Sequence, residues 1–384
     1  GTGTWCAKKW PAKVAEDFNW TPVAVDFATG NRGRADIVLE LGEKGKGSTG
    51  TVYFDDITVV PNTDVERFEG KHFILNLYKD QIALATREGV KFQLANVDEL
   101  YKAYGEITGF TPGDGVQQSA FAPAGYEIGA LGWAGNPILW SKKAYEKSLK
   151  EYWNRPEYCA EIFLHELAHN FDHPNWTFHG HFNELKMAYA LETRNWAIAE
   201  DGWTRGPATR NRWDVRSKQN REIGAVDEVV QVYKNLLIRD KVGWEPFKKT
   251  FRYFLTLKDA DVPKTPWDKF KVWHDKLSEY SGFDAWSVYT KDDLEFVRYY
   301  YGPKQDPEEM SKIAADRRNA WLAETKWSDA KVGWEEPKYG FFASGDKLHL
   351  RSIYGHAPSQ YSYNVDGKWG KFSASCGLAR GHEG

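Results

Sequence analysis

Residues 165–169 read HELAH, two imidazoles four positions apart with a carboxylate beside the first. In a helix, His165 and His169 leave one face together and can hold a single ion between them. Glu166 is displaced from His165 by about a third of a turn, so it can reach a water beside the ion without touching the ion itself. Two neutral imidazoles and one further carboxylate leave Zn2+ positively charged, with an open coordination position. Such an ion polarises a water and a scissile carbonyl, while Glu166 takes the water's proton and passes it to a leaving amine. The alternative is a solvated polar face on a core helix.

The third ligand sets the subclass. A histidine six residues after His169 would mark one type of zinc peptidase, but that position is Asn175, and the glycine expected with it is Asp172. A carboxylate about twenty residues on would mark another, and there Tyr189 stands. Glu184 opens the helical run NELKMAYALETRNWAIAE and is the expected ligand, with Glu192, two turns further along, as second choice. Five of the chain's ten histidines lie between Glu161 and Glu192. Of these, His173, His179 and His181 occupy the loop between the two helices, where one of them contacts substrate or steadies an oxyanion, or all three are ordinary loop residues. Asp172 either orients a ligand imidazole or is a plain helix-end polar group.

Helices have to carry these residues. In PEYCAEIFLHELAHNF, Pro156 is expected near the helix start, and Ile162, Phe163, Leu167 and Phe171 recur at helical intervals. Cys159 falls in the apolar pattern and is expected to be a buried thiol. From 141 to about 301 the pattern is mainly helical. GAVDEVVQVYKNLLI sets Val226, Val229, Val230, Tyr233 and Leu237 on one face. KTPWDKFKVWHDKLSEYSG has Thr265 as N-cap, Pro266 at the first helical position and a stop at Gly282. KDDLEFVRYYYG and EEMSKIAADRRNAWLAE continue the helical series.

Upstream, KHFILNLY reads as a strand and NVDELYKAYGEITG as a helix closed by Gly109, with APAGYEIGALGWAGNPI as ordered loop. Residues 1–62 read as β, in the runs TPVAVDFAT, RADIVLELG and GTVYFDDITVV. The last fifty residues return to aromatic-rich β runs. The fold class expected is multidomain α+β, with a mainly helical catalytic domain at 63–302 between a β-rich segment at 1–62 and a helix-plus-β segment at 303–384.

The formal net charge of −3 over 384 residues offers no basic field for nucleic acid. No apolar run approaches the roughly 20 residues of a membrane span. Three cysteines allow one bridge at most. The 18 tryptophans fill cores or, where exposed, form platforms on which sugar rings stack. The sequence opens GTGTW, with neither initiator Met nor signal-peptide pattern, and is expected to be a processed or truncated piece.

HELAHNFDHPNWTFHGHFNELKMAYALE resembles the enhancin-like, mucin-degrading gluzincin peptidases (peptidase family M-sixty). VDELYKAYGEITGF, GWAGNPI, GWEPFKKTFRYF and DKFKVWHDKLSEYSGFD are similar to other parts of that family, so the resemblance spans roughly 63–301. It implies His165, His169 and Glu184 as ligands of one catalytic Zn2+ and Glu166 as base. The chain departs from the pattern at Ala188, where members often have Asn, and at Trp133 or Asn136, where a His or Tyr is expected. Residues 1–62 resemble the last strands of a carbohydrate-binding β-sandwich. Together the likenesses imply a secreted or cell-surface enzyme that cuts O-glycosylated, mucin-like protein and contacts its glycan; a monomer is expected. The rivals are a catalytically silent glycan-binding adhesin and a general extracellular metalloprotease indifferent to glycan.

Overall fold

The structure, a computed structural model, describes residues 24, 26–28, 56–124, 132–178, 183–196, 229–290, 293–294, 328–331, 338–344, 347–354 and 359–363. The chain is a mixed α+β molecule. It divides into two compact units that interleave in sequence: Gly1–Gly105, Thr111–Phe171 and Thr193–Arg205 in the first; Glu106–Phe110, Asp172–Glu192 and Gly206–Gly384 in the second.

The first unit is built on a mixed sheet. β1 (Val65–Glu69) and β2 (Phe73–Tyr78) pair antiparallel, with Val65 opposite Tyr78. β3 (Gln118–Phe121) lies parallel to β2, and β5 (Ile138–Trp140) parallel to β3. β4 (Gly132–Trp133) joins β5 antiparallel and ends the order β1-β2-β3-β5-β4. All six residues of β2 are buried, which explains why FILNLY shows no polar alternation. Part of the stretch read as glycine-rich loop is therefore strand: Gly132 and Trp133 form the sheet edge.

α1 (Lys79–Thr108) starts well before the helix expected from NVDELYKAYGEITG. Its pattern is interrupted at Thr86, whose backbone (φ 57°, ψ 154°) leaves the helix. There the Thr86 hydroxyl accepts from Gly89 N–H at 3.1 Å and donates to Asn154 Oδ1 at 2.7 Å, so it caps the longer second stretch. Val90, Leu94, Val97, Tyr101 and Tyr104 form its buried stripe. Gly109, at φ 70°, closes it as expected.

α2 (Lys142–Glu151) is capped by Ser141 Oγ, which accepts from Ala144 N–H at 3.3 Å. α3 (Glu161–Asn170) has no such cap, since its N-cap residue is Ala160. Pro156 lies in the turns before it rather than at its start, because Tyr152–Tyr158 is held by turn bonds and the helical bonds begin at Ala160 O. Tertiary packing holds α3 instead. Phe163 meets Phe73, Trp140 and Trp153 at ring distances of 5.6, 4.9 and 5.8 Å. Tyr104 donates its hydroxyl to Leu164 O at 2.6 Å, and Phe171 lies edge-on to Tyr101 and Tyr104. Burial of Phe163, Leu164, Leu167 and Phe171 contributes about 1.5–3 kcal/mol each, together well above the roughly 0.5–2 kcal/mol of a cap. Cys159 is a fully buried thiol, as expected.

Most of the β-rich segment at 1–62 lies outside the described residues. Asp26 within it accepts from Tyr78 Oη at 2.5 Å and Asn62 Nδ2 at 2.9 Å, and Ala28 packs on Tyr78 and Phe121. The end of the run GTVYFDDITVV is not a strand: residues 56–60 are exposed and carry no ladder among the described residues.

In the second unit, α4 (Asn183–Arg194, its last two residues counted with the first unit) buries every side chain from Asn183 to Leu191. α5 (Val229–Val242), α6 (Glu245–Thr256) and α7 (Pro266–Ser281) follow. Trp273 of α7 packs among Phe247, Phe251 and Phe254 of α6 and donates its indole N–H to Asn235 of α5 at 2.9 Å. That bond corrects the expected face of α5 at Tyr233 and Leu237, which are only half-buried, while Val232, Asn235 and Leu236 are buried, because Asn235 and Lys234 are drawn inward by polar partners; Val226 of the expected face lies outside the described residues. Lys234 Nζ donates to Val288 O at 2.7 Å and Asp293 Oδ2 at 2.6 Å.

β6 (Asp329–Lys331) pairs with β9 (Gln360–Ser362), and β7 (Lys338–Ser344) with β8 (Lys347–Tyr354), both antiparallel. The helices expected from KDDLEFVRYYYG and EEMSKIAADRRNAWLAE lie, apart from Asp293 and Leu294, outside the described residues. Among the described residues, no helix is long and apolar enough to cross a membrane.

Candidate functional site

α3 buries Phe163, Leu164, Leu167 and Ala168, which leaves Ile162, His165 and His169 half-exposed on its other side. The Nε2 atoms of His165 and His169 face each other at 3.3 Å, with the rings nearly perpendicular at 78°. Two nitrogens each about 2.0–2.1 Å from one tetrahedral ion would stand about 3.3–3.4 Å apart. The pair therefore fits two corners of a zinc site.

Glu166 is buried beside the pair, with 9% of its surface exposed. Desolvation pushes its carboxyl above the ordinary carboxylate range, against the pull of both imidazoles and of a hydrogen bond from Ala134 N–H. A carboxylate so placed is a stronger proton acceptor than one in water. Gly132 explains how the strand edge comes so close. A Cβ there would lie 2.5 Å from Ile162 Cδ1 and 3.2 Å from Glu166 Cγ, so any larger residue would make both side chains shift.

Asn170, one turn beyond Glu166, continues the contact. Its Oδ1 accepts from Gly135 N–H at 2.8 Å, and its Nδ2 donates to Gly135 O at 2.7 Å and Gln118 Oε1 at 3.0 Å. Gly132, Ala134, Gly135 and Gln118 were not singled out from the sequence. The glycines of GWAGNPI were the available signal, since a close backbone approach needs them.

The remaining expected residues have these places. Glu184, on α4 in the second unit, is 2% exposed. Glu192 accepts from Trp244 Nε1 at 3.0 Å and pairs with Arg239, so this carboxylate is engaged within the second unit. Asp172 pairs with the fully buried Lys186, whose ammonium could not be desolvated alone. His173 Nδ1 accepts from Asn175 N–H at 3.2 Å, and its ring packs on Phe110 and Trp176, which is a loop-building role. His179 and His181 lie outside the described residues. Tyr189 donates to Glu106 Oε2 at 3.1 Å, and Ala188 is fully buried. Asn136 is held by Ser119 and by Gln117 O, at 2.7 and 2.9 Å, whereas Trp133 is 58% exposed. Among the described residues, no group of three or more His, Cys, Asp or Glu side chains gathers as a metal site. Of the expected ligands, His165 and His169 stand together on α3 of the first unit.

No family model and no curated protein matches the sequence. Two solved structures from Bacillus anthracis str. Ames, a functionally unknown conserved protein and a mutant described in the same terms, are similar to this chain. They share 14% and 15% identity with it at TM-scores of 0.43 and 0.44, over 61% of this chain and 51% of theirs. The catalytic module of the metalloprotease ZmpA from Clostridium perfringens is similar at 14% identity and a TM-score of 0.38, over 62% of this chain and 48% of that one. The chain thus spans about half the length of these structures.

Proposed function

We propose that this chain is a zinc metallopeptidase that hydrolyses peptide bonds in O-glycosylated, mucin-like proteins outside the cell. The observation that carries the reading is the meeting of His165 and His169 at 3.3 Å with the buried carboxylate of Glu166 beside them. In this proposal His165 and His169 hold the ion and Glu184 completes the set, an assignment resting on the sequence resemblance. When bound, zinc supplies Lewis acidity to the scissile carbonyl.

The chain's own residues do the rest. Glu166 accepts the proton of the attacking water and returns it to the leaving amine nitrogen. The Ala134 N–H orients that carboxylate. Gly132, having no Cβ, lets the strand lie close beside Ile162 and Glu166. Support for a glycosylated substrate comes from the sequence resemblance and from Trp133, an exposed indole one residue before Ala134, where a sugar ring can stack.

Elemental analysis of the purified protein should give close to one zinc per chain. Cleavage of a purified mucin should stop with a chelator, return with zinc, and weaken after the mucin is enzymatically deglycosylated. Equal cleavage of the bare protein would favour the general protease. Glycan binding without any cleavage would favour the adhesin and overturn the proposal.

A further inference from the structure

Asn170 sits at the C-terminal end of α3, four residues past Glu166 and so on the same side of the helix. Its carboxamide meets Gly135 in both senses, accepting the N–H and donating to the C=O, at 2.8 and 2.7 Å. Two bonds to one residue fix the orientation of that residue's backbone as well as its distance. The second Nδ2 hydrogen goes to Gln118 Oε1, and Gln118, 3% exposed, is held in turn by donating to Val116 O at 3.0 Å. Gly135 has φ 140°, a conformation that glycine adopts readily and side-chain-bearing residues rarely do, so the two Asn170 bonds select one of its many accessible conformations.

Ala134 thus lies between two fixed points. Gly132 is pressed on Ile162 and Glu166 on one side, and Gly135 is clamped by Asn170 on the other. We propose that Asn170 is a positioning residue for the base: through Gly135 it aims the Ala134 N–H at Glu166 and so fixes where that carboxylate points. This inference rests on the reading of Glu166 as the base of a peptidase. It adds that reactivity depends on a carboxamide that touches no reacting atom.

The test uses Asn170→Asp, which keeps the size and one acceptor but loses both donors. Misplacement of a catalytic group by about 1 Å can cost roughly a hundredfold. Asn170→Asp should therefore lower kcat on a purified mucin about 10- to 100-fold, with KM and bound zinc unchanged. In a Glu166→Gln background it should cost nothing further, because the group it acts through is gone. Gln118→Ala leaves both Gly135 bonds in place and should lower kcat less.

Hydrogen exchange tests the clamp apart from catalysis: the Ala134 and Gly135 amides should exchange faster in Asn170→Ala, which removes the acceptor of the Gly135 N–H as well as both donors, with those of α3 unchanged. Parental kcat in Asn170→Asp, equal losses in both backgrounds, or unchanged exchange at Ala134 and Gly135 in Asn170→Ala overturns the inference. If the parent cleaves no substrate at all, the peptidase reading fails, and the exchange result still judges the clamp.

Discussion

In α3, His165 and His169 are half-exposed and turn their Nε2 atoms toward each other at 3.3 Å. In α7, His274 is fully buried and both of its nitrogens are taken. Nδ1 must donate to the Phe270 carbonyl at 2.9 Å, so Nε2 accepts from Tyr289 Oη at 2.8 Å. The contrast extends to the helices themselves. α7 is capped by Thr265, whose hydroxyl accepts from Asp268 N–H at 3.0 Å, and ends on a left-handed Gly282. α3 has Ala160 at its N-cap and depends on buried aromatics. Local signals thus mark the helix with the closed histidine. The helix with the histidine pair is held instead by buried aromatics from other segments of the chain.

The largest expected effect breaks the chemical side of this comparison. Glu166→Gln keeps the shape of the side chain but removes its proton-accepting ability. If Glu166 is the base, turnover of O-glycosylated protein should fall by about 10²–10⁴-fold, with zinc content unchanged by elemental analysis. A variant as fast as the parent would remove Glu166 from the mechanism and leave α3 no more reactive than α7.

A smaller effect concerns the closed histidine. Burial lowers the His274 pKa from 6.5 to about 4, so the folded state refuses a proton that the unfolded chain accepts in that window. The stability is fully present above pH 6.5 and is lost as pH falls toward 4. With 1.36 kcal/mol per pKa unit, the loss is on the order of 3 kcal/mol at most. Urea midpoints measured across this range should show that slope in the parent and a flatter one in His274→Gln. Identical slopes would mean that other groups carry the acid sensitivity.

The smallest effect sharpens the difference in caps. Thr265→Ala should destabilise the protein by about 1 kcal/mol in chemical denaturation. No corresponding substitution exists for α3, whose N-cap is already alanine.

Periodicity and local stereochemistry made much of this protein legible in advance. The i, i+4 spacing puts His165 and His169 on one face whatever surrounds them. Thr265, Pro266, Gly282 and Gly109 mark helix ends through bonds and dihedral preferences that act over a few residues. The largely apolar run at Phe73–Tyr78, broken only by Asn76, identifies a strand buried in the sheet. Each of these features is settled by neighbours along the chain.

Other features required partners distant in sequence. The start of α3 at Glu161, the inward turn of Asn235, the pairing of Lys186 with Asp172 and the engagement of Glu192 depend on side chains that no local pattern names. The bond from Ala134 to Glu166 and the clamp of Asn170 on Gly135 join segments about thirty-five residues apart. A short spacing can say which groups share a helix face. Only folding, which buries Glu166 under a glycine strand, decides how basic that carboxylate is and where it points.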